Sequence, residues 1–213
     1  MKRSMVERGQ GDAIVAVILA SAALLLGVAL WNLFASSISS VAPSMNIVNA
    51  LAYERVNLQV VKLIDDEESN RKVLVYQISR LDYERRKIFV IVVGVRKSNY
   101  VYIDPSTVNA YTMPSSPLLC VFSNLWNPLP SKEIYASRIF VESVLGTTRF
   151  VELSTWIGSI YVKSFVLDFD GSPIALKIVI DTSTLQNIDS IAVMFGIYVN
   201  GNIYVVSMDT TNI

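Results

Sequence analysis

Ile88-Phe89-Val90-Ile91-Val92-Val93-Gly94-Val95 is the stretch that decides how this chain folds. All of its residues but Gly94 are apolar, and most are β-branched. A strand with one wet face alternates apolar and polar residues. A continuous β-branched run of this length suits a central strand covered on both faces. Polar residues from Asp82 to Arg86 precede it as a turn, and Asn99 to Asp104 follow as a short strand stopped by Pro105.

Outward from this centre the β signal continues. Val56 to Ile64 begins in alternation, and Asp65-Asp66-Glu67-Glu68-Ser69-Asn70 reads as a solvated turn. Lys72 to Leu81 sets Leu74, Tyr76 and Ile78 on one face, with Val73 and Val75 on the other. Met113 to Pro130 holds Pro114, Pro117, Pro128 and Pro130 and predicts a long irregular excursion. Strand patterns return at Ile134 to Leu145, Arg149 to Leu153, Ile160 to Phe169 and Ile174 to Asp181. Asn200-Gly201, between Ser190 to Val199 and Asn202 to Ser207, is the strongest hairpin signal in the chain. About nine or ten short strands at hairpin spacing predict an all-β antiparallel sandwich of immunoglobulin-like type.

Ahead of this domain the chain changes character. No charged residue occurs from Ala13 to Tyr53. The core of that stretch, Ala13 to Phe34, is roughly 22 residues, enough to cross a bilayer as a helix at about 1.5 Å per residue. Small residues recur at Ala16, Ala20, Ala23 and Gly27, spaced so that one helix face permits close approach by another. Trp31 and Asn32 suit the far membrane–water boundary. Pro43 closes a Ser-rich patch, and Met45 to Tyr53 has apolar residues three and four apart, so the helix is expected to resume there, the alternative being that the Ser-rich patch is a flexible linker. The expected organisation is a leader at 1–9, a long hydrophobic N-terminal α-helix or stalk at 10–53, and the β-sandwich at 54–213.

The leader carries Lys2, Arg3 and Arg8, followed by Gly9, Gln10, Gly11 and Asp12 and then the apolar run. A secretory signal loses its short apolar region with the leader. Here the small residue lies before the apolar run, so cleavage would retain it. This junction resembles the N-terminus of type IV pilin-like precursors, most closely the archaeal pilin and archaellin branch with its class III signal peptide. The resemblance covers about the first 40 residues. It implies that a prepilin peptidase cuts between Gly9 and Gln10, with Arg8 as the preceding basic residue. Cleavage after Gly11 is the alternative. Bacterial members carry an acidic residue at the fifth mature position, whereas Asp12 would stand third. The resemblance further implies a homo-oligomeric helical filament outside the cell and pilus assembly machinery, an ATPase with a polytopic platform, as partners. The chain would sit in the membrane with its C-terminal domain extracytoplasmic before assembly. Ala16, Ala20, Ala23 and Gly27 would then be the helix-packing residues of the filament core.

Composition narrows the alternatives. Of 213 residues, 52% are hydrophobic and 17% charged, against about 25% charged in typical soluble proteins. Removing Met1 to Gly9 takes away three basic residues and one acidic one, leaving 15 basic and 17 acidic. That balance gives no electrostatic footprint for nucleic acid. The single cysteine, Cys120, sits in an apolar run and reads as a small buried hydrophobe. The chain has no histidine, which removes the commonest general base and metal ligand. No phosphate loop, nucleophile elbow or dinucleotide fingerprint occurs. Asp168-Phe169-Asp170-Gly171 hints at a calcium loop but lacks the later ligands, so turn chemistry accounts for it. The ten tyrosines read mainly as core or half-buried strand residues. The sequence therefore predicts a structural subunit of a pilus-like filament serving surface attachment, with no catalytic residue, metal or cofactor. The competing expectation is a permanently anchored extracytoplasmic β module, associated with the archaellum or binding a ligand at the cell surface.

Overall fold

The computed structural model describes residues 19, 21, 24, 26–28, 30, 47–68, 70–114, 126–142, 150–170, 172–185 and 187–213. The chain divides into two compact units, Met1–Asn49 and Ala50–Ile213. Residues 47–57 are helical (α1). The β unit follows, with β1 (Leu58–Glu68), β2 (Arg71–Arg80), β3 (Arg86–Arg96), β4 (Asn99–Val101), β5 (Val108–Pro114), β6 (Asn127–Pro128) and β7 (Ser131–Tyr135). Next come β8 (Ile139–Glu142), β9 (Phe150–Glu152), the single turn α2 (Ser154–Ile157), β10 (Tyr161–Phe169), β11 (Ile174–Asp181), β12 (Ser190–Val199) and β13 (Asn202–Asn212). A five-stranded sheet has the order β1-β2-β11-β5-β6. An eight-stranded sheet runs β7-β10-β3-β12-β13-β8-β9, with β4 added beside β3.

The apolar run at 88–95 becomes the doubly covered strand its sequence predicts. Ile88 to Gly94 are all buried, and β3 lies between β10 and β12. One face of the large sheet carries Phe89, Ile91 and Val93 of β3 with Ala192 and Met194 of β12, packed with Ala136, Ile139, Val141 and Leu153. Residues of opposite parity look toward the smaller sheet, where the Tyr76 ring of β2 meets the Phe195 ring of β12 edge-on at 5.4 Å.

Chain connectivity forces the large sheet to curl. β7 and β8 are joined by a 3-10 turn at Ala136–Arg138, yet β10, β3, β12 and β13 lie between them in the sheet. Five inter-strand steps span about 24 Å in a flat sheet, whereas the turn bridges at most about 14 Å of extended chain. The sheet therefore rolls up until its flanks approach each other, and Ala136, fully buried, plugs the seam.

Several expectations need correction. Among the described residues no helix is long and apolar enough to cross a membrane. The long N-terminal α-helix is thus not part of the observed fold, and most of 10–53 lies outside the described residues. A helix is stabilised chiefly by what its apolar face packs against. The described members of the run, Leu19, Leu24, Leu26, Val28 and Leu30, are helical but exposed. The β unit is also not a purely antiparallel immunoglobulin-like sandwich, because β8 pairs with β13 in parallel and the strand orders differ from that pattern.

Local boundaries shift for identifiable reasons. α1 continues past Tyr53 to residue 57, because Leu51 and Glu54, three apart on one face, are both buried in the β unit. The acidic stretch is not a turn: β1 runs through Glu68, with Asp66 opposite Val73 and Glu67 opposite Lys72. The segment 134–145 contains not one strand but the end of β7, the Ala136–Arg138 turn and β8. β5 forms over Val108–Pro114, paired with β11, ahead of the expected excursion and overlapping it only at Met113 and Pro114.

Candidate functional site

The residues implied by the resemblance are mostly beyond view. Arg8, Gly9, Gln10, Ala16, Ala20 and Ala23 lie outside the described residues, as does Cys120. Gly27 is described. It is helical, and a methyl group placed on it would meet no atom within 4 Å. Around it Leu24 is 70% and Leu26 65% exposed.

The acidic residues of the β unit are held by internal partners. Lys72 Nζ reaches Asp65 Oδ1 at 2.8 Å, Lys62 Nζ reaches Oδ2 at 3.0 Å, and the Thr211 hydroxyl donates to Oδ2 as well. Partial burial opposes charge on Asp65. The bonds from Lys72, Thr211 and Lys62 outweigh it and hold the carboxyl at about 2. Lys62 also bridges to Asp209 at 3.1 Å, and Asp209 accepts the Tyr76 hydroxyl at 2.8 Å. Burial, then that carboxylate, pushes the Tyr76 phenol far above its ordinary value. Asp168 is exposed and faces Lys87 at 3.7 Å, while Asp170 accepts the Ser172 amide at 2.9 Å. Among the described residues no three acidic or sulfur ligands gather at one point.

A second network fastens α1. Arg80, whose side chain is fully buried, donates to Glu54 and grips Asp82 through Nε at 2.9 Å and Nη2 at 2.6 Å. Tyr53 donates its hydroxyl to the same Asp82 at 3.0 Å. The hydrogen bonds from Arg80 hold the Asp82 carboxyl well below the usual carboxylate range.

Beside the seam of the curled sheet lies a cavity of about 500 Å³, within the range of small-molecule sites. Its walls come from four places. β3 supplies Lys87 and Phe89, β7 and the following turn supply Lys132, Glu133, Tyr135 and Arg138, β10 supplies Tyr161, and the β12–β13 hairpin supplies Tyr198, Gly201 and Ile203. Asn200 and Gly201 both have positive φ, 49° and 88°, as the tight Asn-Gly turn requires. Gly196, at the bulge of the same hairpin, has no room for a side chain. A Cβ there would lie 2.5 Å from Ile203, so its absence lets Ile203 settle into the cavity floor.

The aromatic groups are presented in pairs. Tyr135 and Tyr161 face each other across β7 and β10, with ring centres 3.8 Å apart and planes 33° from parallel. Phe89 and Tyr198 lie 6.0 Å apart at 34°. Tyr135, Tyr161 and Tyr198 remain 43%, 46% and 59% exposed. The hydrogen bond with Tyr135 raises the Tyr161 phenol above its ordinary value. Among the described residues, neither Lys132 nor Arg138 has a carboxylate within ion-pair distance.

Sequence reasoning missed this site. Six of the ten tyrosines are exposed rather than packed. Tyr135 and Tyr161 sit at the adjoining ends of two strands that a long connection separates, so the only available signal was a Tyr at each strand terminus. No protein-family model matches the chain, and no curated protein matches it.

Proposed function

We propose that this chain is the precursor of a structural subunit of an archaeal type IV pilus-like extracellular filament. On this reading Arg8 and Gly9 mark the peptidase site, and Gln10 becomes the first mature residue. The apolar segment is retained, first in the membrane with the β unit outside, later among copies of itself. The observation that carries the reading is the exposure of Leu19, Leu24, Leu26, Val28 and Leu30, each at least half exposed on helical residues. Large apolar side chains in that state gain from any non-aqueous neighbour, and lipid before assembly and sister segments afterwards both qualify. The β unit supports an outward role, because it buries its own core and its cavity opens to solvent. A structural rather than catalytic role fits the absence of histidine from the sequence.

Mechanical shearing of cells, followed by mass spectrometry of the released fibres, tests the proposal. The expected result is this chain in the fibre fraction, beginning at Gln10. A chain that begins beyond Phe34 refutes retention of the apolar segment. A chain that begins at Gln10 but stays wholly with the membrane refutes the filament and leaves the anchored extracytoplasmic module.

A further inference from the structure

The geometry points to the cavity between β7, β10 and the β12–β13 hairpin as a binding site for an acidic carbohydrate, a sugar bearing a carboxylate or sulfate. Three features select that class. The rings of Tyr135, Tyr161 and Tyr198 are exposed around one opening. Such rings offer flat faces carrying negative charge density, against which the axial C–H groups of a pyranose can lie. Their hydroxyls, with Glu133, supply donors and acceptors at the rim, matching a ligand whose edge is lined with hydroxyl groups.

The charge on the lining sets the sign of the ligand. Lys132 and Arg138 stand beside the rings without carboxylate partners among the described residues, two cations against the single Glu133, while Lys87 at the edge of the lining faces Asp168. A planar guanidinium binds a carboxylate or sulfate through two parallel hydrogen bonds, so Arg138 is the residue for the acidic group. An acidic peptide would satisfy the cations but make little use of three exposed rings. A neutral sugar would use the rings and leave the cations idle. The site belongs to the β unit alone, so it stands whether that unit is displayed on filaments or on an anchored module.

The floor is preorganised. Tyr135 and Tyr161 are held in register by backbone pairing of β7 with β10, and Tyr198 projects from a hairpin fixed by Asn200-Gly201. Rings already fixed by the sheet lose little conformational freedom when a ligand arrives.

Full-length protein in a polyoxyethylene detergent, whose headgroup carries no sugar ring, provides the test. Calorimetric titration with a glucuronic-acid-containing hyaluronan hexasaccharide should give saturable binding. A neutral maltohexaose and a glutamate hexapeptide should each bind at least tenfold more weakly. Arg138→Ala and Tyr161→Ala should each weaken hyaluronan binding about tenfold or more. Arg138→Lys should recover part of the loss by restoring the charge without the fork. Thermal unfolding of each variant within a few degrees of the parent establishes that the site alone has changed. A sulfated hexasaccharide binding more tightly than hyaluronan identifies sulfate as the preferred acidic group and upholds the class. Three results overturn the proposal: no saturable binding by either acidic sugar, equal binding by the glutamate peptide, and unchanged affinity in folded Arg138→Ala and Tyr161→Ala variants.

Discussion

Glu54→Ala probes the join between α1 and the sandwich. The Arg80 side chain is 0% exposed and that of Glu54 is 4%, so their ion pair is withdrawn from water. Removing one partner of a buried pair costs about 3–5 kcal/mol, because the remaining charge loses its compensation. Asp82 still holds Arg80 through two hydrogen bonds after the substitution, which places the expected cost at the lower end, about 3 kcal/mol. For a domain of this size each kcal/mol moves the midpoint by about 2–4 °C, so Tm should fall by about 6–12 °C. Circular dichroism melts at pH 7, backed by urea unfolding with an unchanged slope, measure it. Glu54→Gln keeps an acceptor and should lose less. Glu54→Ala combined with Asp82→Ala should lose more than the two changes added, because Arg80 is then left buried with neither carboxylate. A Glu54→Ala midpoint within 1 °C of the parent, or strict additivity in the double variant, would show that the network does not fasten the helix.

Gly27→Leu adds volume where sister segments would meet, costing on the order of 1–3 kcal/mol per subunit by overpacking. Processing and membrane insertion should survive while electron microscopy shows filaments lost; normal filaments would place Gly27 outside the core. Ser164 is fully buried, and its hydroxyl has no hydrogen-bond partner among the described residues. Ser164→Ala should therefore raise stability by about 1 kcal/mol, the low end of the cost of an unsatisfied group, and a lowered Tm would contradict this. The carboxyl of Asp65 falls from its ordinary 3.8 to about 2 on folding. The stability it contributes is present above pH 4 and lost as the pH falls from 4 toward 2. A Tm–pH series should show Asp65→Asn weaker than the parent at pH 6, with the gap closing by pH 2; a constant gap would exclude the linkage. A fragment beginning at Ala50 should melt higher than one beginning at Leu58, since the shorter fragment discards buried Leu51 and Glu54; equal midpoints would show α1 to be dispensable.

How far the sequence reveals this molecule depends on the range of each interaction. β3 is legible because its coverage on both faces is written into eight consecutive residues, and the β12–β13 turn because Asn200-Gly201 alone satisfies its dihedral angles. β5 is not legible. Val108-Asn109-Ala110-Tyr111-Thr112 carries no strong alternation, and it becomes a strand only because β11 offers a partner. The acidic end of β1 misleads in the same way, since charges read as a turn until Lys72 on the neighbouring strand neutralises Asp65 and Thr211, distant in sequence, donates its hydroxyl to it. The tyrosine cavity is the extreme case. Its tyrosines come from three separated segments, and no local pattern distinguishes a tyrosine that lines an opening from one that fills a core.

The curl of the large sheet bears on crowding. A flat sheet ends in rows of unpaired amides and carbonyls, and two such rows on neighbouring molecules can zip together. By drawing β7 toward β8 across three residues, the chain leaves little straight border to copy. The smaller sheet keeps a long outer strand in β1, but exposed Lys62, Asp66 and Glu67 lie along it, and charges at a border oppose lateral annealing. Modules of this shape can stand shoulder to shoulder at high local concentration without fusing, so any ordering among them must be imposed from elsewhere in the chain.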